Sequence, residues 1–199
     1  MKIGIFGGTF DPPHLAHLIL ASEAYNQLDL SRVLWVLTPN PPHKGGISAA
    51  SLDDRLDMLS IAIADNSVFE ISRVEIDRPA PHFAADTMRM LADEFTQDEL
   101  FYLMGGDSLR DLPTWERPGE FLDNCHGLGV MRRPGDTVNL SEINSTLPDI
   151  AQKINFVEAP LLEISASRIR RNIRAGKPFR YYVPDGVYNL ILDRGLYLR

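Results

Sequence analysis

The chain has 199 residues, and its 27 acidic against 20 basic side chains give a net charge of −7, which argues against a general nucleic-acid binder. A hydrophobic content of 44% with 24% charged residues is that of a globular protein long enough to bury a sizeable core. The single cysteine, Cys125, excludes an internal disulfide and suits a reducing compartment, and no apolar run reaches the length of a membrane span, so a cytoplasmic protein without a membrane partner is expected.

The chain opens on KIGIFGGTFDPPHLAH. Residues 3–6 read as a strand, Gly7 to Pro13 as a tight loop, and residues 15–28 as an amphipathic helix. Residues 32–38 (RVLWVLT) form a continuous apolar run, as expected of a parallel strand buried on both faces. After a Pro- and Gly-rich loop, Ser51 caps a helix predicted to run to about Ala64 with Leu52, Leu56, Leu59 and Ile63 on one face. A short strand at 69–72, a helix at 83–95 with Met88, Leu91 and Ala92 inward, and a strand at 100–104 follow. Further strands are predicted at 127–131 and 154–157, and further helices at 167–175 and 185–193. Strands alternating with helices mean βαβ units, right-handed crossovers and a doubly wound α/β fold with a mostly parallel sheet.

In such a fold ligands sit beyond the carboxyl ends of the strands. The suspicious loops all fall there: Gly7 to His17 after the first strand, Pro39 to Lys44 after the second, Gly105 to Ser108 after the fourth, and Arg132-Arg133 after the fifth. In the first loop, glycines allow close backbone approach, a helix start offers unpaired N–H groups, and His14 and His17 share a face of its first turn. That set suits a phosphate; half of a metal site and a pair of idle surface histidines are the alternatives. The segment Ile164-Ser165-Ala166-Ser167-Arg168-Ile169-Arg170 reads by itself as a helix cap followed by a solvated face.

The first loop resembles the nucleotidyltransferase signature, a glycine-rich turn followed by F-D-P-x-H-x-G-H, with the small Ala16 in place of a glycine. ISASRIR resembles the second signature of that superfamily, I-S-S-T-x-I-R, with Ala166 and Ser167 at the two central positions. With PPHK, GGDSLRDLPTW, MRRPG and YYVPDGV, the resemblance runs from Met1 to Tyr197 and narrows to the bacterial nicotinate-nucleotide adenylyltransferases.

That resemblance implies a Rossmann-like nucleotidyltransferase domain spanning 1–199, whose helical part from about 165 to 199 completes an ATP site. The implied reaction joins ATP and nicotinate mononucleotide into nicotinate adenine dinucleotide and pyrophosphate. His14, His17, Lys44 and Arg170 are the implied catalytic residues, and Gly7, Gly8, Thr9, Phe10, Ser165 and Ser167 would complete the ATP site. Lys44, Ala84, Thr87, Gly105, Asp107, Leu112, Trp115 and Arg133 would bind the mononucleotide. Asp107 reads equally as a helix cap, and Trp115 as a core anchor or a stacking platform. Where the family has Tyr-Thr-x-x-Thr, this chain has Phe83-Ala84-Ala85-Asp86-Thr87, so any contact from Ala84 must come through its N–H. Mg²⁺ is expected to arrive on the ATP phosphates. His82 and His126 read as structural. An adenylyltransferase for another phosphorylated acceptor, or a nucleotide sensor on the same fold, are the competing readings, and the oligomeric state stays open.

Overall fold

A computed structural model describes residues 1–40, 49–131, 140–160 and 162–198. The strands are β1 (Lys2–Gly8), β2 (Arg32–Leu37), β3 (Phe69–Ser72), β4 (Glu99–Gly105), β5 (Gly127–Met131) and β6 (Ile154–Val157). They form a six-stranded sheet in the order β3-β2-β1-β4-β5-β6, with every neighbouring pair parallel. The winding reverses between β1 and β4, and this is where a crevice opens outside the carboxyl ends.

Both faces of the sheet are covered, and so the central strands carry apolar runs. Val33, Trp35 and Leu37 of β2 join one core with Phe6, Phe101 and Leu103; Leu34 and Val36 join the other with Ile3, Ile5, Leu100 and Met104. The first core is closed by the helices α1 (Leu15–Gln27), α2 (Leu52–Ile63), α8 (Ala166–Arg174) and α9 (Asp185–Asp193). The second is closed by α3 (Ala84–Glu94), α4 (Gly106–Asp111), α5 (Pro118–Asp123), α6 (Leu140–Thr146) and α7 (Ile150–Lys153). Trp35 is wholly buried at the first core's centre, and a buried side chain of this kind contributes roughly 1.5–3 kcal/mol.

The helix starts follow their sequence signals. Ser51 caps α2 by accepting from the Asp54 N–H at 3.1 Å, and Ser165 caps α8 by accepting from Arg168 at 3.3 Å. In α2 Leu59 and Ile63 are buried as expected, whereas Leu52 and Leu56 are only partly so, and Arg55 and Met58 turn inward instead. The short helices α5, α6 and α7 were not among the predicted elements; with four to seven residues each, they are too short to show a 3.6-residue period. Gly7, Gly8 and Gly105, expected in loops, are the last residues of β1 and β4, paired with Val36, Leu37 and Met131. Among the described residues no helix is long and apolar enough to cross a membrane.

Candidate active site

The first loop departs from β1 through Phe10, whose φ of 46° lies in the left-handed region, uncommon for a bulky side chain. The Phe10 ring is held there by edge and tilted contacts to Phe6 and Trp35, with centroids 5.6 and 5.2 Å away. A Cβ on Gly8 would come within 2.9 Å of that ring, so Gly8 makes room for Phe10, and Gly7 likewise makes room for the Tyr102 hydroxyl, 2.6 Å from where its Cβ would stand. Next in the chain, the buried Asp11 carboxylate accepts from the Ala49 N–H at 2.7 Å, the Ala50 N–H at 3.2 Å and the Tyr197 hydroxyl at 2.7 Å. Arg55, 2% exposed, donates to the carbonyls of Thr9, Thr38 and Pro39, tying the β1 and β2 exits together. Burial lowers the Arg55 pKa from its usual value, and the nearby Asp11 carboxylate opposes that shift.

This frame sets the two histidines. His14 is the N-cap of α1, and its backbone N–H donates to His17 Nδ1 at 3.2 Å. The rings stack with centroids 3.6 Å apart and 13° between planes, and His17 also lies edge-on to Phe6 and Phe10. Because His17 Nδ1 is an acceptor, a neutral ring carries its proton on Nε2 and presents a donor there.

Beside them α8 begins. Ser165 accepts a hydrogen bond as the cap, which leaves its hydroxyl proton to give to a ligand. Arg170 donates to the Asp11 carbonyl at 2.6 Å and to Ser167 Oγ at 3.3 Å. Its fork cross-links α8 to the histidine loop and keeps further N–H donors.

The opposite wall belongs to the second core. Phe83 and Ala84 open α3, and Phe83, the N-cap, supplies no side-chain hydrogen bond. Beneath them, Thr87 gives its hydroxyl proton to Glu75 at 2.6 Å and accepts from Arg78 at 3.0 Å. Burial raises the Glu75 pKa above the usual carboxyl range, while the bonds from Thr87 and Thr38 and the charge of Arg78 hold it down. Trp115 is half-buried, edge-on to Tyr102 at 6.1 Å and to Phe121 at 5.3 Å. Asp107 sits in the first turn of α4 with Oδ1 accepting from the Ser108 N–H at 3.0 Å.

These elements enclose a cavity of about 540 Å³ at the carboxyl edge of the sheet. The first core's side contributes Gly7, Gly8, Thr9, His14, His17, Ser165 and Ser167; the second contributes Glu75, His82, Ala84, Tyr102, Gly105, Asp107 and Trp115. A cytidylyltransferase-like family model matches residues 5–172. A Thermomicrobium roseum protein named "probable nicotinate-nucleotide adenylyltransferase" is 43% identical over 98% of this chain and 91% of its own, and a Thermus thermophilus protein of the same name is 41% identical over 99% and 100%. The chain belongs to the nicotinate-nucleotide adenylyltransferase family. Its fold is shared with the Plasmodium falciparum nicotinic acid mononucleotide adenylyltransferase complexed with NaAD, at a TM-score of 0.81 and 19% identity over 98% of this chain and 97% of that one.

Several residues that likeness to nicotinate-nucleotide adenylyltransferases had assigned to ligands stand behind the cavity instead of lining it. Phe10 is 2% exposed and buttresses His17. Thr87 is 1% exposed, its hydroxyl consumed by Glu75, Arg78 and the Phe83 carbonyl. Leu112 is wholly buried, and its carbonyl accepts the Trp115 N–H at 3.0 Å, so it sets that ring. Arg170 adjoins the lining through Ser167. Lys44 and Arg133 lie outside the described residues. Glu75, Tyr102 and His82 border the cavity without having been read from the sequence as site residues; His82 had been read as structural. The one signal available was position, since His82 directly precedes the Phe83-Ala84 start of α3. His126 accepts from the Leu100 N–H and is structural as read.

Proposed function

We propose that this protein transfers the adenylyl group of ATP to nicotinate mononucleotide, releasing pyrophosphate and forming nicotinate adenine dinucleotide, a step of NAD biosynthesis. The observation that carries this reading is the two-sided cavity: imidazole, hydroxyl and helix-start donors on one side, a half-buried indole and an uncapped helix start on the other. An acceptor phosphate oxygen attacks the α-phosphorus, the new P–O bond forms as the bond to the bridging oxygen of pyrophosphate breaks, and the electron pair leaves on pyrophosphate. No side-chain nucleophile is required; positioning and charge stabilisation carry the rate. His17 Nε2–H and the Ser165 and Ser167 hydroxyls would hold phosphate oxygens, and Trp115 would face the pyridine ring. Lys44 and Arg133 retain their proposed roles as added positive charge. Domain 1–199 works as one unit in this scheme, α8 completing the ATP side, and the buried Cys125 suits a reducing cytoplasm.

Magnesium fits this site as a companion of ATP. Both Asp11 carboxylate oxygens already accept hydrogen bonds, from Ala49, Ala50 and Tyr197. The ion would be held by phosphates and water and would supply charge neutralisation.

An acceptor panel tests the reaction. With Mg-ATP, nicotinate mononucleotide is expected to release pyrophosphate with a higher kcat/KM than phosphopantetheine or riboflavin phosphate, and at least about tenfold above nicotinamide mononucleotide, the penalty for opposing one buried polar group. A preference for any other acceptor sinks the assignment.

Arg170 gives a second check. Its remaining N–H donors can reach oxygens of the leaving pyrophosphate while it holds the Asp11 carbonyl. A charge-assisted hydrogen bond contributes roughly 1.5–3 kcal/mol, so Arg170→Ala is expected to lower kcat/KM for ATP about 10- to 100-fold, with Arg170→Lys recovering only part. Steady-state kinetics with ATP varied at saturating acceptor measure it, and wild-type values in the alanine variant would leave Arg170 a purely structural cross-link.

A further inference from the structure

His82 is 5% exposed yet borders the cavity, Nδ1 is sealed from solvent, and neither ring nitrogen makes a hydrogen bond among the described residues. A histidine buried for structural reasons ordinarily satisfies its ring nitrogens. His82 is nevertheless held firmly. Arg78 donates to the Pro81 carbonyl at 2.7 Å and to the Phe83 carbonyl at 3.3 Å, pinning the backbone on both sides of it.

The ring stands immediately before α3, an 11-residue helix whose N-cap Phe83 gives its first turn no side-chain acceptor. Phe83 and Ala84 border the same cavity, as does Trp115. An orphan imidazole, unpaired helix-start N–H groups and a flat indole thus meet in one space. An aromatic ring bearing an anionic substituent answers all three: the indole takes the ring face, and the helix end and the imidazole take the anion.

We propose that His82 selects the acceptor, its ring N–H binding the pyridine carboxylate of the mononucleotide together with the backbone N–H groups that open α3. This rests on the adenylyl-transfer reading above. Burial, aided by Arg78, lowers the His82 pKa from its usual value, so the ring is neutral at pH 7 and carries one donor. With Nδ1 sealed, that donor meets the ligand at Nε2, or after a half-turn of the ring. Glu75, Asp107 and Glu116 are the acidic groups bordering the cavity; burial raises the Glu75 pKa, and the positive charge of Arg78 stands beside it. A carboxamide in the same place would turn its NH₂ toward these donors or lose one of them.

The test compares nicotinate and nicotinamide mononucleotides as acceptors for wild type, His82→Phe and His82→Gln, at saturating Mg-ATP. His82→Phe is expected to raise KM for nicotinate mononucleotide about tenfold or more, while kcat/KM for nicotinamide mononucleotide and KM for ATP stay within about twofold. His82→Gln keeps an N–H donor and is expected to recover part of the preference. Equal losses for both acceptors, or an unchanged preference, overturn the proposal. A measurement on the unaltered chain stands beside these: the His82 ring ¹⁵N resonances are expected to shift on adding nicotinate mononucleotide and much less with the nicotinamide form. Identical responses also overturn it. Wild-type protein that releases no pyrophosphate with nicotinate mononucleotide defeats the reaction itself, whereas wild-type turnover with an unaltered preference in both variants defeats only the role of His82.

Discussion

Replacing His17 by alanine is expected to lower kcat about 10²- to 10³-fold, the loss typical of removing one preorganised donor to developing charge. The expectation follows from how the ring is fixed. Its Nδ1 accepts the His14 N–H, His14 stacks on it, Phe6 and Phe10 lie edge-on to it, and a neutral ring so fixed carries its donor on Nε2. The alanine variant also loses support at the start of α1, which costs about 0.5–2 kcal/mol and a few degrees of Tm. His17→Asn separates the two effects. Its carbonyl oxygen can take the place of Nδ1 and restore the melting temperature, but nothing then reaches where Nε2 stood. Calorimetry and kinetics on the three proteins decide it. If the asparagine variant recovers both stability and turnover, His17 acts only as a cap.

Asp11→Ala is expected to be the most damaging single change to stability. It strands the Ala49 and Ala50 N–H groups and the Tyr197 hydroxyl, and removes the acid nearest the buried Arg55. Each stranded donor costs about 1–3 kcal/mol, so the three together lower the Tm by about 10 °C or more, with loss of ATP-dependent turnover in the folded fraction. Asp11→Asn keeps one acceptor and falls between. A variant melting within about 2 °C of wild type would show that the clamp contributes little.

Much of this was legible in the chain because the information is local. The strand β2 announces itself by an unbroken apolar run, and α2 and α8 by serines that do cap them. The spacing of His14 and His17 placed them on the first turn of α1, where they stack. What the sequence hides is which neighbour a side chain finds across the fold. Thr87, Phe10 and Leu112 sit one layer behind the cavity, where each positions a residue that faces it; no local pattern distinguishes the two layers. Gly7 and Gly8 line the cavity, and they also make room for the Tyr102 hydroxyl and the Phe10 ring, a role no local pattern shows. His82 was passed over because no motif surrounds it, and its surroundings come from Arg78 and the start of α3.

The ties to Asp11 also bear on synthesis at the ribosome. Its carboxylate is met by N–H groups from 38 and 39 residues further on and by a hydroxyl 186 residues further on, while its carbonyl is met by a guanidinium 159 residues away. Chain elongation therefore delivers these contacts in instalments, and contacts so distant in sequence form late. The histidine loop is therefore made well before the residues that fasten it. A chain that has made all six strands still lacks this last tie until Tyr197 has been added.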